Sequence, residues 1–236
     1  MQMDVPRDRI LDVDQADLVF DAVPHPYETE NLAAIEDNWH AEVARNPALF
    51  DGKVLMFSKL SWRDGRIEGR CHAIRFATFL QWRRNGPETS VEHLFAQAMP
   101  VTSDGALIAI RMSARTASAG RVYFAAGAFD MSDVADGRID IVSNMRREVL
   151  EETGIDLEHC RSDAGMHGHS SDRGTVLTQR YYLDEPAETI AARIRAFIAA
   201  DPDPEISDAV IIRGAEDFPE GLMPHMVPLI KWHFGG

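Results

Sequence analysis

The sequence predicts a mixed α/β protein. Stretches of strand character alternate with stretches of helical periodicity through most of its 236 residues. Residues 30–45 place Leu32, Ile35, Trp39 and Val43 at intervals of three and four, the helix period. Residues 53–60 and 67–76 are strand-like and flank Asp64-Gly65, a strong hairpin signal.

Taken in order, residues 8–23 are strand-like, with Ile10, Leu11, Val13, Leu18, Val19, Phe20 and Val23, and Pro24-His25-Pro26 ends them. Asn46-Pro47 ends the first helix, because the residue before proline avoids the α region. Residues 78–84 are expected as a short helix closed by Asn85-Gly86-Pro87. Residues 98–112 hold a strand, the Asp104-Gly105 turn and a second strand from 106, and 120–126 a third. A helix is expected over roughly 140–153, with Val142, Met145 and Val149 on its core side. Residues 156–172 are expected as a loop carrying His159, His167 and His169. A strand follows at 174–183, then an amphipathic helix at 189–200 with Ile190, Ile194, Phe197 and Ile198. A last strand is expected at 209–212 and a closing helix at 226–234. There is no repeat, low-complexity tract or linker. The simplest division is one domain over 1–236, with an N-terminal α+β extension over 1–95 (strand, helix, β-hairpin) and a core over 96–236.

Hydrophobic content of 45% is ordinary for a chain with a substantial core. The net charge of −14 argues against non-specific binding to DNA or RNA, which needs a basic surface. It does not argue against a phosphorylated small molecule, since a bound metal reverses the local sign. Cys71 and Cys160 provide neither a disulfide framework nor a zinc cluster. No apolar run reaches membrane-spanning length. The first residues lack an export pattern, so a cytoplasmic location and no membrane partner are expected.

The chemistry concentrates in Arg147-Glu148-Val149-Leu150-Glu151-Glu152-Thr153-Gly154-Ile155. Glu148, Glu151 and Glu152 are spaced i, i+3, i+4, which on a helix puts three carboxylates on one face, within about 6 Å at Cβ. Like charges so close stay ionised together most easily around a cation; otherwise at least one pKa rises. Hard divalent ions prefer such oxygen donors. Gly154 stands where a helix places a left-handed residue. The bland alternative is a solvated acidic face.

This string resembles the second half of the Nudix hydrolase signature, Arg-Glu-U-x-Glu-Glu-x-Gly-U with U aliphatic, at every fixed position. The first half departs from it. Asp133 stands where the family has glycine, and Ile139 where it has glutamate. The missing glycine is similar to Gly127 further upstream, with the loop between it and the helix lengthened over 129–138. Asp136 and Asp140 are alternatives for the missing glutamate. Residues 39–52 resemble the N-terminal region of a Nudix subgroup that includes the animal UDP-glucose pyrophosphatases.

The resemblance implies an α/β/α sandwich around a mixed β-sheet. It also implies metal-dependent hydrolysis of a pyrophosphate bond in a nucleoside diphosphate linked to another group, with Mg²⁺ or Mn²⁺ held by Glu148, Glu151 and Glu152. Arg147 is then an organiser, and Glu205, just before the last strand, a further ligand or general base with Asp208 as competitor. Gly127 and Phe129 would belong to the substrate loop. Tyr123, Phe124 and Phe129 are candidates to stack on a base or sugar, or else core aromatics. His167 and His169 have the pKa range of a base but sit in an expected solvated loop. The partner is a small-molecule nucleoside diphosphate derivative. The subgroup likeness and the length of 1–95 favour a nucleotide sugar such as UDP-glucose. Coenzyme A, dinucleotide and ADP-ribose type substrates are the alternatives, the extension then serving as a homodimer interface. Other classes are an inactive nucleotide-binding module and an isomerase on the same fold.

Overall fold

The computed structural model describes residues 3–86 and 90–235. In chain order its strands and helices are β1 (Met3–Asp4), β2 (Ile10–Val13), β3 (Gln15–Phe20), α1 (Pro26–Glu30), α2 (Leu32–Arg45), β4 (Lys53–Arg63), β5 (Arg66–Arg75) and α3 (Phe76–Asn85). Then come β6 (Leu94–Val101), β7 (Leu107–Met112), β8 (Val122–Tyr123), a 3-10 turn (Met131–Asp133), β9 (Val134–Ala135), β10 (Arg138–Ile139) and α4 (Ile141–Thr153). The chain finishes with β11 (Arg161–Ser162), β12 (Met166–Ser171), β13 (Gly174–Tyr182), α5 (Ala187–Ala200), β14 (Ile206–Ile212) and α6 (Met226–Gly235). The architecture is mixed α/β with mixed sheets, as the sequence predicts.

The chain forms two compact units. The first comprises Met1–Phe95, Ala128–Ile141 and Gly168–Val176. Its sheet runs β1-β4-β5-β3-β10-β9. β1 and β4 are parallel, as are β3 and β5, and the remaining pairs are antiparallel. The hairpin expected at Asp64-Gly65 joins β4 to β5, with φ of 48° and 78° at the two turn residues. That is the left-handed pair a two-residue turn needs to match the strand twist. The expected strand over 8–23 is two strands, β2 and β3, broken at Asp14. The aspartate-rich insert over 129–138, expected as a loop, is folded. Asp130 and Asp133 cap the 3-10 turn reciprocally, and β9 and β10 form a hairpin about Asp136 (φ 50°) and Gly137 (φ 74°). Glu92, almost fully buried, accepts two hydrogen bonds from the Arg7 guanidinium, at 2.8 and 2.9 Å, and one from Thr175 at 2.7 Å. A carboxylate buried in this way is stable because every charge-assisted bond it needs is supplied.

The second unit comprises Ala96–Gly127, Val142–His167 and Leu177–Gly236. Here β14, β7, β6 and β13 lie side by side in that order, with β8 on β7 and β11 on β13. β14 begins at Ile206, three residues earlier than expected, and pairs antiparallel with β7. Asp104, in the β6–β7 turn, ties three parts of this unit together. It accepts from Thr102 Oγ1 at 2.6 Å, from the Ala187 backbone amide at the start of α5 at 3.0 Å, and from Arg213 beyond β14 at 3.0 Å. These bonds hold its carboxyl well below the usual carboxylate range. Asp104 therefore positions α5 and β14, the two elements on either side of Glu205. Asp104→Ala is expected to lower the thermal midpoint, because it leaves an α5 amide without its acceptor. An unchanged midpoint by differential scanning calorimetry would show that the turn holds without it.

Candidate functional site

Helix α4 buries Ile141, Asn144, Met145, Glu148, Val149 and Thr153, a stripe at helical spacing. Met145 and Val149 face inward as expected, whereas Val142 is only half-buried. Two of the three signature glutamates lie on this stripe. Glu148 is 8% exposed and Glu152 half-buried, while Glu151 faces solvent. A carboxylate on the inward stripe of a helix loses hydration that its neighbours must replace.

Gly127 makes room for Glu148. A Cβ on Gly127 would lie 2.3–2.5 Å from the Glu148 carboxyl group, so any other residue there would make that carboxyl group move. Arg147 adds a partial counter-charge. Its Nη1 is 2.8 Å from Glu148 Oε1 and 3.3 Å from Glu151 Oε2. The Arg147 guanidinium thus bridges these two carboxylates.

Arg147, Glu148, Glu151, Glu152 and Glu205 line one cavity of about 290 Å³, together with Asp201, Asp203, Phe197, Ile198 and Pro204. Glu205 reaches it because its backbone carbonyl accepts from the Ser113 amide at 2.9 Å, fixing the start of β14 against the end of β7. Its competitor Asp208 is drawn away into an ion pair with Arg195 at 2.7 Å and does not line the cavity. Neither Asp136 nor Asp140 lines it. Phe129 is fully buried and belongs to the first unit, so its ring offers no face to a ligand. His167 and His169 lie on β12, not on a loop. The His167 ring packs tilted against Trp232, 4.1 Å between centroids and 42° between planes, and His169 is buried. Ser58 and His72 have the geometry of a nucleophile and base, Oγ to Nε2 2.7 Å, yet both are almost fully buried, so the pair is structural.

Glu152 carries the electrostatic strain. Burial first, then Glu148 and Glu205, push its carboxyl up to about 9, against the Ala126 amide, with Glu151 adding least. Its Oε2 is buried without a hydrogen-bond partner. The same charges reach Tyr123. Burial and then Glu152 raise its phenol well above the usual range, with Glu205 and Glu148 adding to the effect. The sequence left Tyr123 ambiguous between site and core; only the fold shows how near it stands to these carboxylates.

Among the described residues, no three histidine, cysteine or carboxylate side chains already stand arranged to hold a metal ion. The donor chemistry nevertheless fits a hard divalent cation. The set is all oxygen, the Glu152 Oε2 atom is an orphan acceptor, and Gly127 leaves the Glu148 carboxylate room to turn. Glu148, Glu152 and Glu205 are the carboxylates of this set that bear on one another, since the charges of Glu148 and Glu205 both act on Glu152. Glu151, the third glutamate of the sequence pattern, is exposed and paired with Arg147.

A scan against protein-family models finds no match, and a search of curated proteins finds none. Solved structures are similar to part of the chain. A MutT protein from Methanosarcina mazei is 17% identical over 60% of this chain and 92% of its own, with a TM-score of 0.40. A Nudix hydrolase from Nitrosomonas europaea is 18% identical over 51% of this chain and 72% of its own, with a TM-score of 0.32. A bifunctional NMN adenylyltransferase/ADP ribose pyrophosphatase from Francisella tularensis, solved with AMP and a manganese ion, is 16% identical over 53% of this chain and 35% of its own, with a TM-score of 0.33. At identities and TM-scores this low the likenesses decide nothing about activity. Among the described residues no helix is long and apolar enough to cross a membrane.

The raised Glu152 pKa has a measurable consequence. Its folded value, about 9, lies above the value of about 4.5 in the unfolded chain. The folded state therefore holds the extra proton between these values, and stability present below pH 4.5 is lost as pH rises toward 9. Glu152→Gln removes that loss. In chelator, the variant is expected to melt higher than wild type at pH 8 and equally at pH 4. Parallel melting curves across this range would show that Glu152 ionises normally.

Proposed function

We propose that this chain hydrolyses a pyrophosphate bond in a nucleoside diphosphate linked to another group, using Mg²⁺ or Mn²⁺. The observation that carries this reading is the cavity in which Glu148, Glu152 and Glu205 meet beside Arg147, with one buried carboxylate oxygen unsatisfied. The nine-residue likeness to the Nudix signature in α4 supports it independently. A divalent cation in such a site offsets the negative charge of a diphosphate and acidifies a water.

The chain's own residues have separable tasks. Glu148, Glu152 and Glu205 would hold the cation, and Arg147 would release Glu148 to it while staying paired with Glu151. Glu205, fixed through its backbone rather than its side chain, has a carboxylate free to take the proton of an attacking water.

For the group beyond the diphosphate we favour a sugar, as in UDP-glucose, on the likeness of residues 39–52 and the length of 1–95. Water attack on one phosphorus then yields UMP and glucose 1-phosphate. The cavity is near the lower limit for small-molecule sites, about 300 Å³, so it suits the diphosphate and one ring.

The test is a hydrolysis screen over UDP-glucose, ADP-ribose, dinucleoside polyphosphates, coenzyme A and nucleoside triphosphates, with mass spectrometry of products formed in ¹⁸O water. UDP-glucose is expected to give the two monophosphates, one of them labelled, only with Mg²⁺ or Mn²⁺ present. Cleavage of coenzyme A or a dinucleotide with UDP-sugars left intact would overturn the sugar assignment alone. Glu152→Gln is expected to lower turnover by about two orders of magnitude while the protein remains folded. Undiminished turnover in that variant would remove the helix carboxylates from the mechanism.

A further inference from the structure

We infer that Phe197 is the platform on which the base of the nucleotide stacks, an inference that rests on the function proposed above. The cavity lining is mixed: Glu148, Glu151 and Glu152 come from α4, while the stretch from the end of α5 to β14 brings the apolar Phe197, Ile198 and Pro204 beside Asp201, Asp203 and Glu205. A diphosphate gains nothing from apolar surface and loses hydration against it. A planar heterocycle gains from an aromatic face at little cost, because every base has one.

Phe197 is placed for this rather than for the core. Helix α5 buries Ala187, Ile190, Ala191 and Ile194 at helical spacing. Phe197 continues that stripe one turn further, but its side chain emerges from the core and the residue is 39% exposed. Its seat is specific. A Cβ on Gly154 would lie 2.6 Å from the Phe197 ring, so the bare glycine holds the ring against the end of α4. Gly154 thus has two tasks, to end α4 in a left-handed turn (φ 69°) and to admit Phe197. The ring and the signature glutamates are therefore fixed to the same helix end, which sets the distance from base to diphosphate.

This placement assigns the nucleoside end of the substrate to α5 and directs the other group away from it. The test is titration calorimetry in Mg²⁺ with AMP and with ribose 5-phosphate, which has the same phosphate and sugar but no base. Wild type, Phe197→Ala and Phe197→Trp are compared. Phe197→Ala is expected to weaken AMP roughly tenfold and leave ribose 5-phosphate unchanged, and Phe197→Trp to restore AMP binding. An AMP affinity unaffected by Phe197→Ala, or an equal loss for both ligands, overturns the platform. If wild type still hydrolyses diphosphates in that case, only the role of Phe197 falls. If wild type hydrolyses none of them, the proposed function falls with it.

Discussion

Carboxylates crowded into one cavity govern the second unit. Burial, then the charges of Glu148 and Glu205, raise the cost of ionising Glu152. Two responses to this constraint are built into the chain. Arg147 spreads one positive charge over Glu148 and Glu151, and Glu152 retains a proton to a pH where glutamate is normally ionised. A divalent cation would replace both responses at once. On the function proposed above, the cluster costs the protein energy when empty and is relieved when a cation is bound.

The surrounding structure follows from accommodating these charges. The Glu148 carboxyl group occupies the space a side chain on Gly127 would fill. Glu205 arrives from a separate element, held by the backbone pairing of β14 with β7 and by the Ser113 amide. Asp104 anchors the elements flanking Glu205 through three hydrogen bonds. Gly154 both ends α4 and seats Phe197, so the charged and apolar parts of the cavity lining share one point of reference.

Helix α4 and its glutamates were legible in the sequence because their interactions are local: spacing alone sets which side chains share a face. Long-range facts were not legible in the same way. Gly127 stood out as a turn glycine, but its contact with Glu148 joins residues 21 apart. Glu205 was the candidate over Asp208 on position alone; what sets them apart in the fold is Arg195, a residue on α5 that pairs with Asp208. His167 and His169 read as loop because Gly168 and the serines after them mask the alternation of β12. Phe197 read as core because periodicity shows which face is apolar and not where the core ends. The insert at 129–138 carries Asp136-Gly137, the same turn signal used correctly at Asp64-Gly65, and it too is a hairpin.

The central claim is that the helix carboxylates await a divalent cation and that Glu152 gives up its proton to receive one. Calorimetric titration with Mn²⁺ at pH 7.5, in two buffers of different ionisation enthalpy, measures that proton directly. The account predicts release of about one proton per cation bound by wild type and close to none by Glu152→Gln. Binding without proton release in wild type, or the same release in both proteins, would contradict it.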